Sequence, residues 1–80
     1  MQTARSNEGV AVKFSARNVL SGSIRKLVRG PVSTEVTIRV NKDVEIVSVI
    51  TTHSAKRLKL KKGRRAHALI KADSVIVGVD

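Results

Sequence analysis

The sequence predicts a small all-β domain, an antiparallel barrel or sandwich of five or six short strands with one short helix. Three observations carry this reading. The apolar residues are mostly Val, Ile and Leu, and Phe14 is the only aromatic. β-Branched side chains favour strands, where their restricted χ1 costs least. Apolar residues alternate with polar ones in several short runs, and turn residues punctuate those runs at close intervals.

Residues 1–9 are polar and non-periodic and read as a flexible N-terminal tail, leaving residues 10–80 as a single domain. Val10, Val12 and Phe14 alternate with Ala11 and Lys13, the pattern of a half-buried strand. Leu20 to Val28 reads as a second strand of irregular spacing, in which Gly22 marks a bulge or a close backbone approach. Gly30-Pro31 is a turn signal.

Val36, Ile38 and Val40 alternate with Glu35, Thr37 and Arg39, Asn41-Lys42-Asp43 supplies turn chemistry, and Val44 to Ile50 returns as a strand. Together these form a β-hairpin. Thr52 or Ser54 can cap a short helix running to about Leu58, with Lys56 and Arg57 near its end, where the helix dipole favours cations. Gly63 stops the segment Leu58–Lys62. Ala66 to Lys71 and Val75 to Val79 then make a last pair of strands around Ala72-Asp73-Ser74. With the helix between the hairpin and the final strands, an OB-like barrel fits this order, and sequence pattern alone does not separate it from an SH3-like one.

Eighty residues lie near the lower limit at which one core sustains itself. Small domains of this kind add disulfides, a metal or self-association. Cys is absent, and His53 and His67 stand alone without partners at metal-ligand spacing. Self-association is the remaining staple. The first residues lack the apolar stretch of a signal peptide, and no apolar run approaches the ~20 residues that span a bilayer. The expectation is a cytoplasmic chain with no membrane partner.

The formal net charge is +10, and Lys56 to Arg65 holds seven of the sixteen Lys and Arg residues. That run reads either as a solvated edge or as a phosphate-contacting surface. Single-strand binding on such barrels relies on aromatic platforms, worth about 1–3 kcal/mol per base. Phe14 alone cannot supply one, so nucleic acid stands as the alternative partner and not the leading one.

Hydrogen-bond donors are concentrated in three places. Ser15-Ala16-Arg17-Asn18 joins a hydroxyl, a guanidinium and an amide; Thr51-Thr52-His53-Ser54 carries three hydroxyls; Lys71 lies alone in Ile70-Lys71-Ala72. Hydroxyls, Arg, Lys and backbone N–H groups all suit oxyanions, whose oxygens only accept. Taken singly, Thr51 and Ser54 are ordinary capping or turn hydroxyls, Arg17 a surface charge, and Lys71 a guard on a strand edge. No nucleophile–base pair or acid pair accompanies them, which points to binding and away from catalysis.

Several separated segments resemble the Mop-type molybdate-binding domain, the molbindins (TOBE-like). They are Ser15-Ala16-Arg17-Asn18-Val19-Leu20-Ser21-Gly22, Val49-Ile50-Thr51 with Ser54 three residues on, Leu58-Lys59-Leu60 with Gly63 following, and Ile70-Lys71-Ala72-Asp73-Ser74-Val75. They occur in order and cover the chain from Phe14 to Asp80. The resemblance implies an OB-like β-barrel with strand exchange between subunits, binding molybdate, or tungstate, in the bacterial cytoplasm with no catalytic cofactor. It implies a homo-oligomer, a hexamer built as a trimer of dimers, with oxyanion sites at the subunit interfaces. Carried onto this sequence, Ser15, Arg17 and the Ala16 backbone N–H form one part of a site, and Thr51, Ser54 and Lys71 complete it, while Asn18 fixes the turn. Family members carry acidic residues around Gly63, whereas this chain has Lys62, Arg64 and Arg65 there, which keeps a polyanionic partner in view.

Overall fold

The computed structural model of the chain describes residues 2–5, 11–14 and 17–80. Its elements follow as β1 (Gln2–Arg5), β2 (Ala11–Phe14), β3 (Asn18–Arg29), β4 (Ser33–Asn41), β5 (Val44–Thr51), helix α1 (Thr52–Arg57) and β6 (Arg65–Ile70), ending in a 3-10 turn at Ala72–Ser74. β1 and β2 pair antiparallel as a two-stranded sheet, and the other four strands form a sheet in the order β5-β4-β3-β6. Residues 21–67 make up one unit of the chain; residues 1–20 and 68–80 make up another.

The first unit holds the hairpin that the alternation predicts. β4 and β5 run antiparallel from Ser33↔Thr51 to Asn41↔Val44. The turn between them closes on the Asn41 side chain, whose Oδ1 accepts from the Asp43 N–H at 2.9 Å, the usual way an Asn substitutes for backbone in a tight turn. Ile24, Val36, Ile38 and Ala55 form the buried apolar core, with Thr34, Thr37 and Thr52 buried beside them.

Gly22 serves a close backbone approach, not the bulge. A Cβ at this position would sit 2.1 Å from the Arg39 carbonyl oxygen and 3.0 Å from the Val40 Cα. The bulge in β3 falls three residues later. Ile24 faces Ile38 and Lys26 faces Thr37, so Arg25 is the extra residue.

Helix α1 differs from expectation at its start. Its N-cap is Thr51, not Thr52 or Ser54, and it ends at Arg57 with Leu58 as C-cap. Thr51 has the extended backbone an N-cap requires, with φ −69° and ψ 146°. Thr52 is unavailable because its hydroxyl is turned into the core, donating to the Gly30 carbonyl at 2.7 Å.

The helix C-terminus closes as a full Schellman motif: the Leu60 N–H bonds the Ala55 carbonyl at 3.1 Å and the Lys59 N–H the Lys56 carbonyl at 3.0 Å. Lys59 takes the left-handed conformation, φ 55°, usually given to Gly. Gly63 has φ 90° and turns the chain toward β6.

In the second unit, two expectations are corrected. Gln2–Arg5 is a strand, paired with β2 from Gln2↔Phe14 to Arg5↔Ala11, where the sequence pattern gave only a tail. Backbone pairing holds it, and such pairing leaves no apolar periodicity in a polar segment. At the other end, Val75 to Val79 is not a strand. After the 3-10 turn the chain carries no regular structure, and Ile76, Val77 and Val79 are 95%, 85% and 93% exposed. Alternating apolar residues suit a strand, but a strand also needs an edge to bond, and this segment pairs with none among the described residues.

Candidate functional site

Of the six residues the sequence singles out, Ser15 and Ala16 lie outside the described residues. The other four fall into two pairs, one in each unit.

Thr51 and Ser54 form the first pair. Both begin helix α1, because β5 ends at Thr51 and the chain turns there. The Thr51 hydroxyl oxygen accepts from the Ser54 N–H at 3.0 Å and donates its own proton to Ser54 Oγ at 2.8 Å. A hydroxyl has one proton. Thr51 therefore spends its proton inside the pair, and the Ser54 O–H is the one left to donate outward. The capping role that Thr51 plays and its role in holding Ser54 are the same geometry.

Arg17 and Lys71 form the second pair. Both are exposed, Arg17 just before β3 and Lys71 just after β6. The Asn18 amide donates to the Ile70 carbonyl at 3.3 Å. This bond joins the residue after Arg17 to the residue before Lys71, and so brings the two cations to neighbouring strand ends. Asn18 does have a structural part, but as a tie between strands. Lys71 also leads the 3-10 turn, its carbonyl accepting from the Ser74 N–H at 2.9 Å.

Two structural details escape the sequence. Ser21 Oγ lies 2.7 Å from His67 Nδ1, which gives this histidine a definite partner across neighbouring strands. The basic run also divides into two kinds of residue. Arg64 donates to the Lys59 carbonyl at 3.0 Å and the Leu58 carbonyl at 3.4 Å, and Arg29 donates to the Leu60 carbonyl at 2.9 Å. These two guanidiniums close the end of α1, while Lys56, Arg57, Lys59, Lys61, Lys62 and Arg65 face solvent. The one sequence cue for such a clamp was the cation bias at helix C-termini, which does not say which Arg folds back.

The donors available suit an acceptor-only anion. A guanidinium and an ammonium at neighbouring strand ends supply two positive charges; a positioned hydroxyl supplies a directed donor. Residues 46–72 contain no Asp or Glu to repel an anion. Among the described residues, no group of three or more His, Asp or Glu could hold a cation. No helix among them is long and apolar enough to cross a membrane.

Comparison with known proteins agrees with this chemistry. Residues 15–77 match the TOBE domain. The chain is 44% identical over 71 residues to the molybdenum transport protein ModE of Herbaspirillum seropedicae, aligning 89% of itself with 26% of that protein. It thus spans about a quarter of that relative's length. A probable molybdenum-pterin-binding protein of Haemophilus influenzae is 38% identical over 69 residues, which are 86% of this chain and 100% of that one. Among solved structures, the cytoplasmic molybdate-binding protein ModG, in a form with molybdate bound, matches with a TM-score of 0.83 at 37% identity. That match covers 99% of this chain and 55% of ModG. The likeness establishes the OB-like, all-β fold with one short helix that the sequence predicts. The chain belongs to the TOBE domain family.

Proposed function

We propose that the chain binds molybdate, or the isosteric tungstate, at a site to which Ser15, Arg17, the Ala16 backbone N–H, Thr51, Ser54 and Lys71 contribute, and that it serves storage and homeostasis of the oxyanion. The observation that carries this is the Asn18–Ile70 bond, which sets Arg17 and Lys71 at neighbouring strand ends. Molybdate at neutral pH is a tetrahedral dianion. Two cations balance its charge, and the Ser54 hydroxyl, held by Thr51, fixes one of its hydrogen-bonding directions. The relatives are named for molybdenum transport, molybdenum-pterin binding and molybdate binding, with no reaction among them. The reading is therefore of a binding protein, with the anion as ligand and no catalytic cofactor, working in the cytoplasm as ModG does.

The same proposal includes self-association. The segment Val75–Val79 has the apolar alternation of a strand and lies exposed. Strand exchange with a second copy would give it an edge and would bring donors from different subunits to one anion. A hexamer arranged as a trimer of dimers is the assembly proposed. Each chain carries a formal +10, so assembly works against repulsion, and dianions bound at interfaces offset part of it.

Metal analysis after molybdate loading and gel filtration, with mass from light scattering, tests both parts. Stoichiometric molybdenum in an oligomer is expected, with loss of both when residues 75–80 are removed. Substoichiometric molybdenum, or a monomer that binds fully, would overturn the interface site.

A further inference from the structure

The turn between helix α1 and β6 concentrates charge on an unusually constrained backbone. Lys59 is left-handed without being Gly, Gly63 has φ 90°, and the Schellman bonds close the helix end. Arg64 and Arg29 cover the carbonyls of Leu58, Lys59 and Leu60. Main-chain bonds fasten the far side, Gly63 N–H to the Ile24 carbonyl at 2.7 Å and Ile24 N–H to the Arg64 carbonyl at 2.8 Å. A merely solvated loop needs none of this. Here it holds Lys56, Arg57, Lys59, Lys61, Lys62 and Arg65 exposed in one short stretch, with no acidic residue between Glu45 and Asp73. The sole salt bridge among the described residues, Arg25–Glu45, lies outside the stretch.

We infer that this turn is a docking surface for an acidic segment of a partner protein that sets an apolar side chain against Leu58. Three kinds of anionic occupant compete, and the observations separate them. A second copy of this chain is a poor match, because its six acidic residues are spread along the sequence and Glu45 is already paired. Nucleic acid is a poor match too. No Phe, Tyr or Trp follows Phe14, so this surface lacks the aromatic platforms on which single strands stack, and α1 has only six residues with which to enter a groove. Leu58, 50% exposed between Arg57 and Lys59, has no use against a phosphate backbone. An apolar anchor ringed by charges is how protein surfaces recognise one another, with the charges steering encounter and the anchor slowing release. The rigid turn adds to this because little side-chain and loop ordering is left to do on binding.

Fluorescence anisotropy would use a fluorescein-labelled Asp/Glu peptide of about a dozen residues with a central Leu, the same peptide with Ser for Leu, and single- and double-stranded DNA of matched charge. The Leu peptide is expected to bind tightest, and to weaken about tenfold or more when salt rises to about 0.3 M. Lys61→Glu/Lys62→Glu is expected to weaken it about tenfold, and Leu58→Ser about threefold to tenfold, with far-UV circular dichroism unchanged. If charge reversal disturbs the fold, Lys61→Gln/Lys62→Gln makes the same test with a smaller expected loss. DNA binding as tight as the Leu peptide, equal binding of the Ser peptide, or no loss in the charge variants would each overturn the inference.

Discussion

The Thr34 hydroxyl donates to the Thr52 hydroxyl 2.8 Å away, with both residues buried in the core. The direction follows from counting protons. Thr52 has already committed its own to the Gly30 carbonyl, so only Thr34 can donate within the pair. A buried relay thus runs from β4 through the first residue of α1 to the turn before β4, which fixes where the helix can start.

The relay is asymmetric, and so are the expected mutant costs. Thr34→Val removes one bond and leaves Thr52 bonded to Gly30, a loss of about 1 kcal/mol. Thr52→Val leaves both the Gly30 carbonyl and the Thr34 hydroxyl without a partner, a loss of about 2–3 kcal/mol. Urea unfolding of the two single variants and the double variant checks this. Equal single losses would contradict the assigned direction.

Gly22 is set against the backbone of β4. With a Cβ 2.1 Å from the Arg39 carbonyl oxygen, Gly22→Ala must move main chain and not a flexible side-chain tip. A loss of about 2–3 kcal/mol is expected in thermal or urea unfolding. A neutral result would show that β3 and β4 separate there at little cost.

Two left-handed residues in one turn make opposite predictions. At φ 55°, Lys59 bears a strain that Lys59→Gly removes, with a net gain of about 0.5–1 kcal/mol after the greater freedom of glycine in the unfolded chain. Gly63 has no atom near its would-be Cβ, so Gly63→Ala reports the φ of 90° alone. It is expected to lose about 1–2 kcal/mol. Paired unfolding midpoints measure both.

Binding and capping can be separated at the start of α1. Ser54→Ala keeps the bond from its N–H to Thr51 and loses the outward hydroxyl together with the exposed bond that Thr51 donates to it. It is expected to weaken molybdate binding about tenfold while leaving stability within about 0.5 kcal/mol. Thr51→Val removes the cap as well, at about 1 kcal/mol. Arg17→Ala and Lys71→Ala, at exposed positions, are expected to lose about tenfold or more in affinity with unchanged melting. Isothermal titration with molybdate beside thermal melts distinguishes the cases; full affinity in both cation variants would remove them from the site.

Much of this was legible in the chain itself. The period-two alternation from Val36 to Ile50 and the Asn41 turn gave the hairpin nearly whole, since both signals are local. Thr52 shows why the helix start was misplaced by a residue. Its hydroxyl is a good cap in isolation, and only the tertiary bonds to Thr34 and Gly30 claim it. Arg64 shows the same limit, because a guanidinium that folds back on a helix end and one that faces solvent are spelled alike. Val75–Val79 is legible as a strand sequence, but it pairs with no edge among the described residues. Arg17, Thr51, Ser54 and Lys71 are proposed from donor chemistry and family likeness together, since no local pattern marks them.

The extra residue at Arg25 gives β3 one residue of slack. A strand has a reading frame of two, and losing a residue ordinarily exchanges its inner and outer faces. In β3, removing Arg25 would leave Ile24 opposite Ile38 and Lys26 opposite Thr37, with every later residue on its present face. Only an exposed ion pair to Glu45 would go with it, a minor loss. Removing Thr37 from β4, where it faces Val47 in the regular part of the register, would turn the core face outward. The bulge is thus a place where this sheet can change length without changing sense.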